Sequence, residues 1–360
     1  MTDLTNDFVA NHEFIRAARE TLNDQMWDYL VGGTETETTL ARNRAALDAV
    51  ALRPRVLVDV SEIDATWEFL GKTLRLPVML APVGGLDSFD PLGAVSVARG
   101  AGEFGAGMMF SSVTERTKPE VRAAMDGPLV YQLYVRGFGR FIEDEVEAAI
   151  EAGFDAFAFT VDTAVYSRRE RDIVKRFAKP WRRFVNDESV RAQAALNWKD
   201  IERIRKAYDI PLMIKGVGTA EDARIAVDHG LDWVYVSNHG GRQLDHGMGS
   251  ADVLTEVVDA VKGQIKILMD GSVSRGTDVV KAVALGADMV GIGRLYCYAL
   301  AVAGPAGIVR MLEILENEIH SALGLAGVAS FRDLTPGHLR RGAPLVGVPG
   351  VHSAFPLLDG

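Results

Sequence analysis

Cysteine is almost missing from this chain of 360 residues, in which Cys297 stands alone. A single thiol excludes an internal disulfide framework and a Cys-rich zinc site. No apolar run reaches 18 uninterrupted residues, so no membrane-spanning helix and no membrane partner is expected. Positive charge is in deficit: 39 Lys and Arg against 49 Asp and Glu give a net charge of −10. That balance disfavours a nucleic-acid partner, which usually meets a basic face. There is no Walker A motif and no G-x-G-x-x-G after a first strand, which disfavours a dinucleotide site of the Rossmann type. The seven histidines are scattered, without HExxH or paired carboxylate–His spacing, so no metal is expected. The opening MTDLTNDFVANHEF is acidic and polar, unlike a signal peptide, and a cytoplasmic location is the expectation.

What is present is ordinary globular composition, 48% hydrophobic and 24% charged, with an excess of glycine at 36 residues. Length alone would allow two domains, although α/β barrels run longer as one. Eight short apolar runs recur: 77–83, 107–112, 129–135, 156–162, 211–217, 233–240, 265–272 and 289–294. Each has the length of a strand buried on both faces. Amphipathic stretches such as GRFIEDEVEAAIEAG, TAEDARIAVDHG and RGTDVVKAVALGA lie between them and read as helices. Eight β runs alternating with helices predict an α/β fold, a (β/α)8 TIM barrel, with an open doubly wound sheet as the alternative.

Residues 1–76 precede the barrel, and FIRAARETLNDQMWDYLVGG reads as a helix ending at a Gly-Gly stop. The barrel is expected over 77–324, with a C-terminal segment over 325–360, all in a single domain. The gap between the fourth and fifth runs is unusually long. Residues 163–197, rich in Arg, Lys and aromatics, read as a lid over an anionic ligand or as a solvated basic insertion.

Barrel active sites lie at the C-terminal ends of strands. Those positions here hold Ser111-Ser112, Gln132, Tyr134, Thr160, Asp162, Lys215, Ser237, His239, Arg242, Asp270, Ser272, Gly293 and Arg294. An apolar barrel needs none of them for packing. DGSVSRG and GIGR, at the seventh and eighth ends, fit a phosphate site made of backbone N–H groups and Arg294. His239 suits a general base, Asp162 could orient it, and Arg242 could bind a carboxylate. Lys215 has two readings, a Schiff-base lysine or a counter-charge to an anionic cofactor.

These residues, within DYLVGGTETETTLARNR, LRPRVLVDV, APVGG, YQLYV, TVDT, RRERDI, NWKDI, KGV, SNHGGRQLD, DGSVSRGTDVVKAVALGA and GIGR, resemble the FMN-dependent 2-hydroxy acid oxidase/dehydrogenase family over nearly the whole chain. The resemblance implies an FMN-binding barrel that oxidises an (S)-2-hydroxy acid to the 2-oxo acid. It implies His239 as base with Asp162 as partner, Arg169 and Arg242 on the substrate carboxylate, and Tyr29 and Tyr134 beside it. It also implies Lys215 at one flavin edge. Ser111, Gln132, Thr160 and Ser237 would meet the ring, with Val83 and Gly84 on its other side. Asp270 would meet the ribityl chain, and Ser272, Ser274, Gly293 and Arg294 the phosphate. Oxygen or another electron acceptor completes the cycle, and a homotetramer is implied. A dehydrogenase or decarboxylating monooxygenase is the nearer alternative. An FMN-dependent isomerase or a non-catalytic anion-binding barrel is more remote.

Two departures from the family pattern stand out. DGSVSRG carries Ser272 where the family has glycine and Ser274 where it has an arginine, for which Arg275 might substitute. Val113 replaces an aromatic residue, which predicts either a wider pocket for a side chain bulkier than glycolate's, an aromatic one such as mandelate's included, or local repacking. Tyr166 and the lid aromatics Trp181 and Phe184 are candidates to pack against that side chain.

Overall fold

In the computed structural model, residues 3–180, 185–342, 351–355 and 357–358 are described; Trp181 and Phe184 of the expected lid lie outside them. The eight apolar runs form eight strands: β1 Val78–Leu80, β2 Gly107–Ser111, β3 Leu129–Leu133, β4 Ala156–Thr160, β5 Leu212–Val217, β6 Trp233–Val236, β7 Lys266–Met269 and β8 Met289–Ile292. All pair in parallel, and β8 closes on β1 with Val290 opposite Val78. The barrel is therefore closed, and the open-sheet alternative is excluded.

The polar residues of these runs lie in the closing positions of the strands, as Ser111, Gln132, Thr160 and Lys215 do, or just beyond them, as Asp162, His239 and Asp270 do, and so form the rim. Met79, Met109, Met213, Leu268 and Met289 pack together inside the barrel. Unbranched methionines fill such an irregular interior without strain. A hairpin, Trp67–Phe69 with Lys72–Leu74, turns through Leu70 and Gly71, both at positive φ. It plugs the barrel floor, where the Phe69 ring meets Trp233 edge-on at 4.9 Å.

The N-terminal stretch read as one helix is two: α1, Asn11–Thr21, and α2, Asp24–Val31. Asn23 breaks it. Its backbone is extended, and its side-chain oxygen accepts from Met26 N–H, an N-cap in mid-run. Helix α2 does end at the Gly-Gly stop. A third helix, α3, spans Thr38–Asp48, and strand Val50–Leu52 then pairs with Leu339–Arg341 near the far end of the chain. The helix after β8, Arg294–Ala326, bends where Ala303 and Gly304 leave helical backbone ahead of Pro305.

The long insertion after β4 crosses the rim and is tied to the N-terminal extension. The Arg168 carbonyl accepts from Glu35 N–H at 2.8 Å and the Thr34 hydroxyl at 3.2 Å. Arg171 grips Glu37 through two bonds of 2.6 and 2.8 Å, and Lys175 pairs with Asp28. Two of the insertion's cations, Arg171 and Lys175, are thus matched by the extension's acids, while Arg169 and Lys179 line the rim cavity.

Candidate active site

A cavity of about 990 Å³ opens at the C-terminal rim. Tyr29, Val83, Gly84, Tyr134, Arg169, Lys215, His239, Arg242, Asp270, Ser272, Ser274, Gly293 and Arg294 all line it. Of the residues expected at the site, Asp162, Ser111, Gln132, Thr160 and Ser237 do not. They are packed directly behind the wall: Ser111 lies in register with Gln132, and Thr160 with Lys215.

His239 is held from three sides. Its Nδ1 lies 3.1 Å from Asp162 Oδ1, and its Nε2 lies 3.1 Å from the Tyr134 hydroxyl. Its backbone N–H donates to Ser237 Oγ at 3.1 Å, and the same oxygen accepts from Lys215 Nζ at 3.1 Å. The His239 backbone sits at φ +60°, a left-handed conformation that costs a non-glycine residue free energy and that the surrounding bonds maintain. Asp162 is seated just as tightly. A β-carbon on Gly216, at φ +112°, would lie 2.6 Å from Asp162 Cβ, so only glycine lets the β5 end approach it.

Charge follows from this geometry. Burial, partly offset by Asp162 and reinforced by Lys215, sets the His239 pKa below its ordinary 6.5. Burial alone would raise the Asp162 carboxyl, but His239 and Lys215 hold it below the usual carboxylate range. The imidazole is therefore neutral at neutral pH. With Nδ1–H donated to the carboxylate, Nε2 carries its lone pair toward the Tyr134 hydroxyl. Burial first, and then Asp162, pushes the Tyr134 phenol well up, so it stays protonated and donates.

Arg242 lies 4.6 Å over the Tyr29 ring, and its Nη1 donates to the Leu30 and Gly32 carbonyls at 3.3 Å. Arg294 donates to the same two carbonyls at 3.0 and 2.9 Å. Both guanidiniums are destabilised as bare cations, chiefly by burial, with Arg169 adding repulsion to each. A wall of this kind is completed by an anion.

Two acceptors lie unused at the other end, Asp270 in the cavity wall and Gln132 behind it. Gln132 Nε2 donates to Thr160 Oγ1 at 2.7 Å, while Gln132 Oε1 is buried with no hydrogen-bond partner among the described residues. Asp270 Oδ2 accepts from Tyr235 at 3.0 Å, while Oδ1 is likewise buried with no partner among the described residues. Buried acceptors of this sort are costly unless a ligand's donors meet them. With Lys215 alongside, they fit a flat heterocycle bearing N–H groups and a hydroxylated chain, as FMN has.

Ser272 lies at φ +57°, the conformation for which glycine is suited. The expectation that Arg275 replaces the arginine missing at Ser274 is not met. Its guanidinium is engaged by Glu318 at 2.7 Å and the Ala354 carbonyl at 3.1 Å. Sequence reasoning missed Arg44. This buried residue of α3 supports the phosphate-side loop by donating to the Ser272 carbonyl at 3.0 Å and to both Asp278 oxygens at 2.8 Å. Its one signal was an arginine on an otherwise ordinary helix, TTLARNRAALD, whose partner is 234 residues away.

Comparison with known proteins agrees with this geometry. The family model described as FMN-dependent dehydrogenase matches residues 18–341. Glycolate oxidase 3 of Arabidopsis thaliana is 39% identical over 348 residues, covering 91% of this chain and 95% of the relative. The glycolate oxidase of Spinacia oleracea is 37% identical, covering 91% and 94%. Among solved structures, a mandelate oxidase superposes with a TM-score of 0.88 at 37% identity, covering 93% of this chain and 99% of that one. The chain belongs to the FMN-dependent dehydrogenase family, among the 2-hydroxy acid oxidases.

Proposed function

We propose that the protein oxidises an (S)-2-hydroxy acid to the 2-oxo acid, with His239 as the base. The observation that carries this reading is the placement of His239, its Nε2 faced by Tyr134 and its Nδ1 backed by Asp162, in the same cavity as Arg169 and Arg242. Two guanidiniums give the substrate carboxylate two charge-assisted anchors. Tyr29 and Tyr134 donate beside it. His239 Nε2 takes up one of the two protons that the alcohol loses, and Asp162 stabilises the imidazolium that forms.

Lys215 and Asp270 would hold FMN from the cavity wall, with Gln132, Thr160, Ser111 and Ser237 supporting from behind and Val83 and Gly84 on the other side. Ser272, Ser274, Gly293 and Arg294 would meet its phosphate. When bound, FMN supplies a two-electron acceptor that passes those electrons to oxygen, giving hydrogen peroxide. Lys215 favours negative charge at the cofactor's edge.

The substrate is bulkier than glycolate. Val113 lines the cavity where a larger ring would fill it, and Tyr166 lines the same space. A mandelate oxidase has been solved with benzoyl-formic acid, a 2-oxo acid with an aromatic side chain, at 37% identity and a TM-score of 0.87. A homo-oligomer, a tetramer in the fullest form of the reading, accords with the exposed apolar strap Val56-Leu57-Val58, in which Leu57 is fully exposed.

The test is His239→Ala. The variant is expected to bind FMN but to reduce it at least about 100-fold more slowly with a 2-hydroxy acid under anaerobic conditions. Near-native reduction would remove His239 from the role of base. Oxygen addition then distinguishes peroxide with a 2-oxo acid, expected of an oxidase, from a decarboxylated acid or from no reoxidation.

A further inference from the structure

Lys179, in the insertion after β4, is used by nothing described so far. It lines the cavity, and its Nζ lies 2.6 Å from Asp172 Oδ2 and 5.2 Å from the centre of the Tyr29 ring. Tyr29 therefore meets two cations, Lys179 and Arg242. Asp172 also lines the cavity and is buried, at 6% exposure. Neither of its carboxylate oxygens has a hydrogen-bond donor among the described residues apart from the Lys179 ammonium beside it. Asp172 is thus a buried negative charge in the wall that Arg169 and Arg242 make attractive to a carboxylate. Burial, then the nearby Arg169, with Arg242 adding to it, brings the Lys179 ammonium down to about 8 although Asp172 opposes the change.

We propose that Lys179 is a substrate-positioning residue: it masks the Asp172 carboxylate and completes, across Tyr29, the cationic wall that selects a carboxylate over an uncharged group. Without Lys179, Asp172 would repel the incoming carboxylate through a low-dielectric wall. An uncharged amide of the same shape would feel no such repulsion. Any lid-closing role of the Asp172–Lys179 pair would serve acid and amide alike, so the difference between the two ligands isolates the electrostatic role. The inference rests on the reading of this cavity as a 2-hydroxy acid site.

The test uses the FMN-loaded enzyme and two non-reacting ligands, benzoyl-formic acid and its primary amide. Binding is followed by perturbation of the flavin spectrum. The native protein is expected to prefer the acid by about 100-fold, as two charge-assisted anchors imply. Lys179→Met should cut that preference by about tenfold, the size of one buried charge interaction. Lys179→Arg, which keeps the charge, should stay within about threefold of native. Equal weakening of acid and amide in Lys179→Met, or an unchanged preference, would overturn the proposal. Anaerobic bleaching of the native flavin by mandelate or lactate is measured in parallel. Its absence would sink the functional reading itself, whereas bleaching with an unaltered acid preference in Lys179→Met would remove only the role of Lys179.

Discussion

Val113 closes over the α-carbon of Gly84: a β-carbon built there would lie 2.9 Å from both Val113 Cβ and Cγ1. The two residues lie in the loops that follow the neighbouring strands β1 and β2, and both line the cavity. The valine therefore partly repacks onto the glycine as well as leaving space above it. Gly84→Ala is expected to lower unfolding stability by about 1–3 kcal/mol, the range for an overpacked core. Adding Val113→Ala should recover much of the loss, because touching residues couple. Denaturant unfolding of the four proteins of this cycle measures the coupling. Additive losses would show that the contact is not the cause.

The pH behaviour of His239 follows from its lowered pKa. Its neutral form persists down to pH 6.5 and below, so the acid limb of the anaerobic reduction rate should fall below pH 6.5. Stability has a matching sign. The unfolded chain protonates this histidine at a higher pH than the folded protein does, so its contribution declines as pH drops through and below 6.5. Asp162→Asn removes the interaction that raises the histidine's basicity and fixes its tautomer. It is expected to slow reduction by about 100-fold or more while FMN stays bound. Stopped-flow reduction across pH checks both statements.

At the phosphate end, Ser272→Gly should stabilise the protein by about 1 kcal/mol, since φ +57° suits glycine better than serine. Ser274→Arg should tighten FMN binding by about tenfold through a new charge-assisted bond to phosphate. Fluorescence titration of the apoprotein reads the affinity, and thermal unfolding reads the stability. An unchanged affinity in Ser274→Arg would show that position 274 does not face the phosphate.

Arg44 and Asp278 form a doubly bonded ion pair with side-chain exposures of only 5% and 1%. Breaking it by Arg44→Met leaves Asp278 buried and uncompensated, at a cost of about 3–5 kcal/mol. Because Arg44 also holds the Ser272 carbonyl, FMN affinity should fall in the same variant. A stability loss with unaltered affinity would separate the loop from the pair.

Much of this was legible beforehand because a parallel barrel writes itself as repeated apolar runs followed by polar rim residues. Each of the eight runs contains one strand, and His239, Asp162 and Tyr134 meet as their strand ends predict. What escaped were relationships over long sequence distances and local breaks. Nothing in the pattern around Arg44 announces Asp278. The cap at Asn23 splits a helix whose apolar spacing is continuous. The hairpin Trp67–Leu74 lies in a part of the extension whose short runs carry no period of their own, although Leu70-Gly71 makes the turn. Lys179 looked like one basic residue among many, because only the fold shows which members of that cluster are neutralised by Asp28 and Glu37 and which one turns toward Asp172.

The closure of β8 on β1 sets a schedule for the protein's birth. Val78 emerges from the ribosome early, yet its partner Val290 follows more than two hundred residues later. Arg294, which fastens the Leu30 and Gly32 carbonyls, is made later still. A nascent chain must therefore carry α1, α2 and the first strands unfinished, with their apolar faces in need of shelter, through most of translation. Pairing of Val50–Leu52 with Leu339–Arg341 comes later again, and the bond from Ser353 to Asp48 later than that. A chain cut before Leu339 would thus lose partners of residues made at the start.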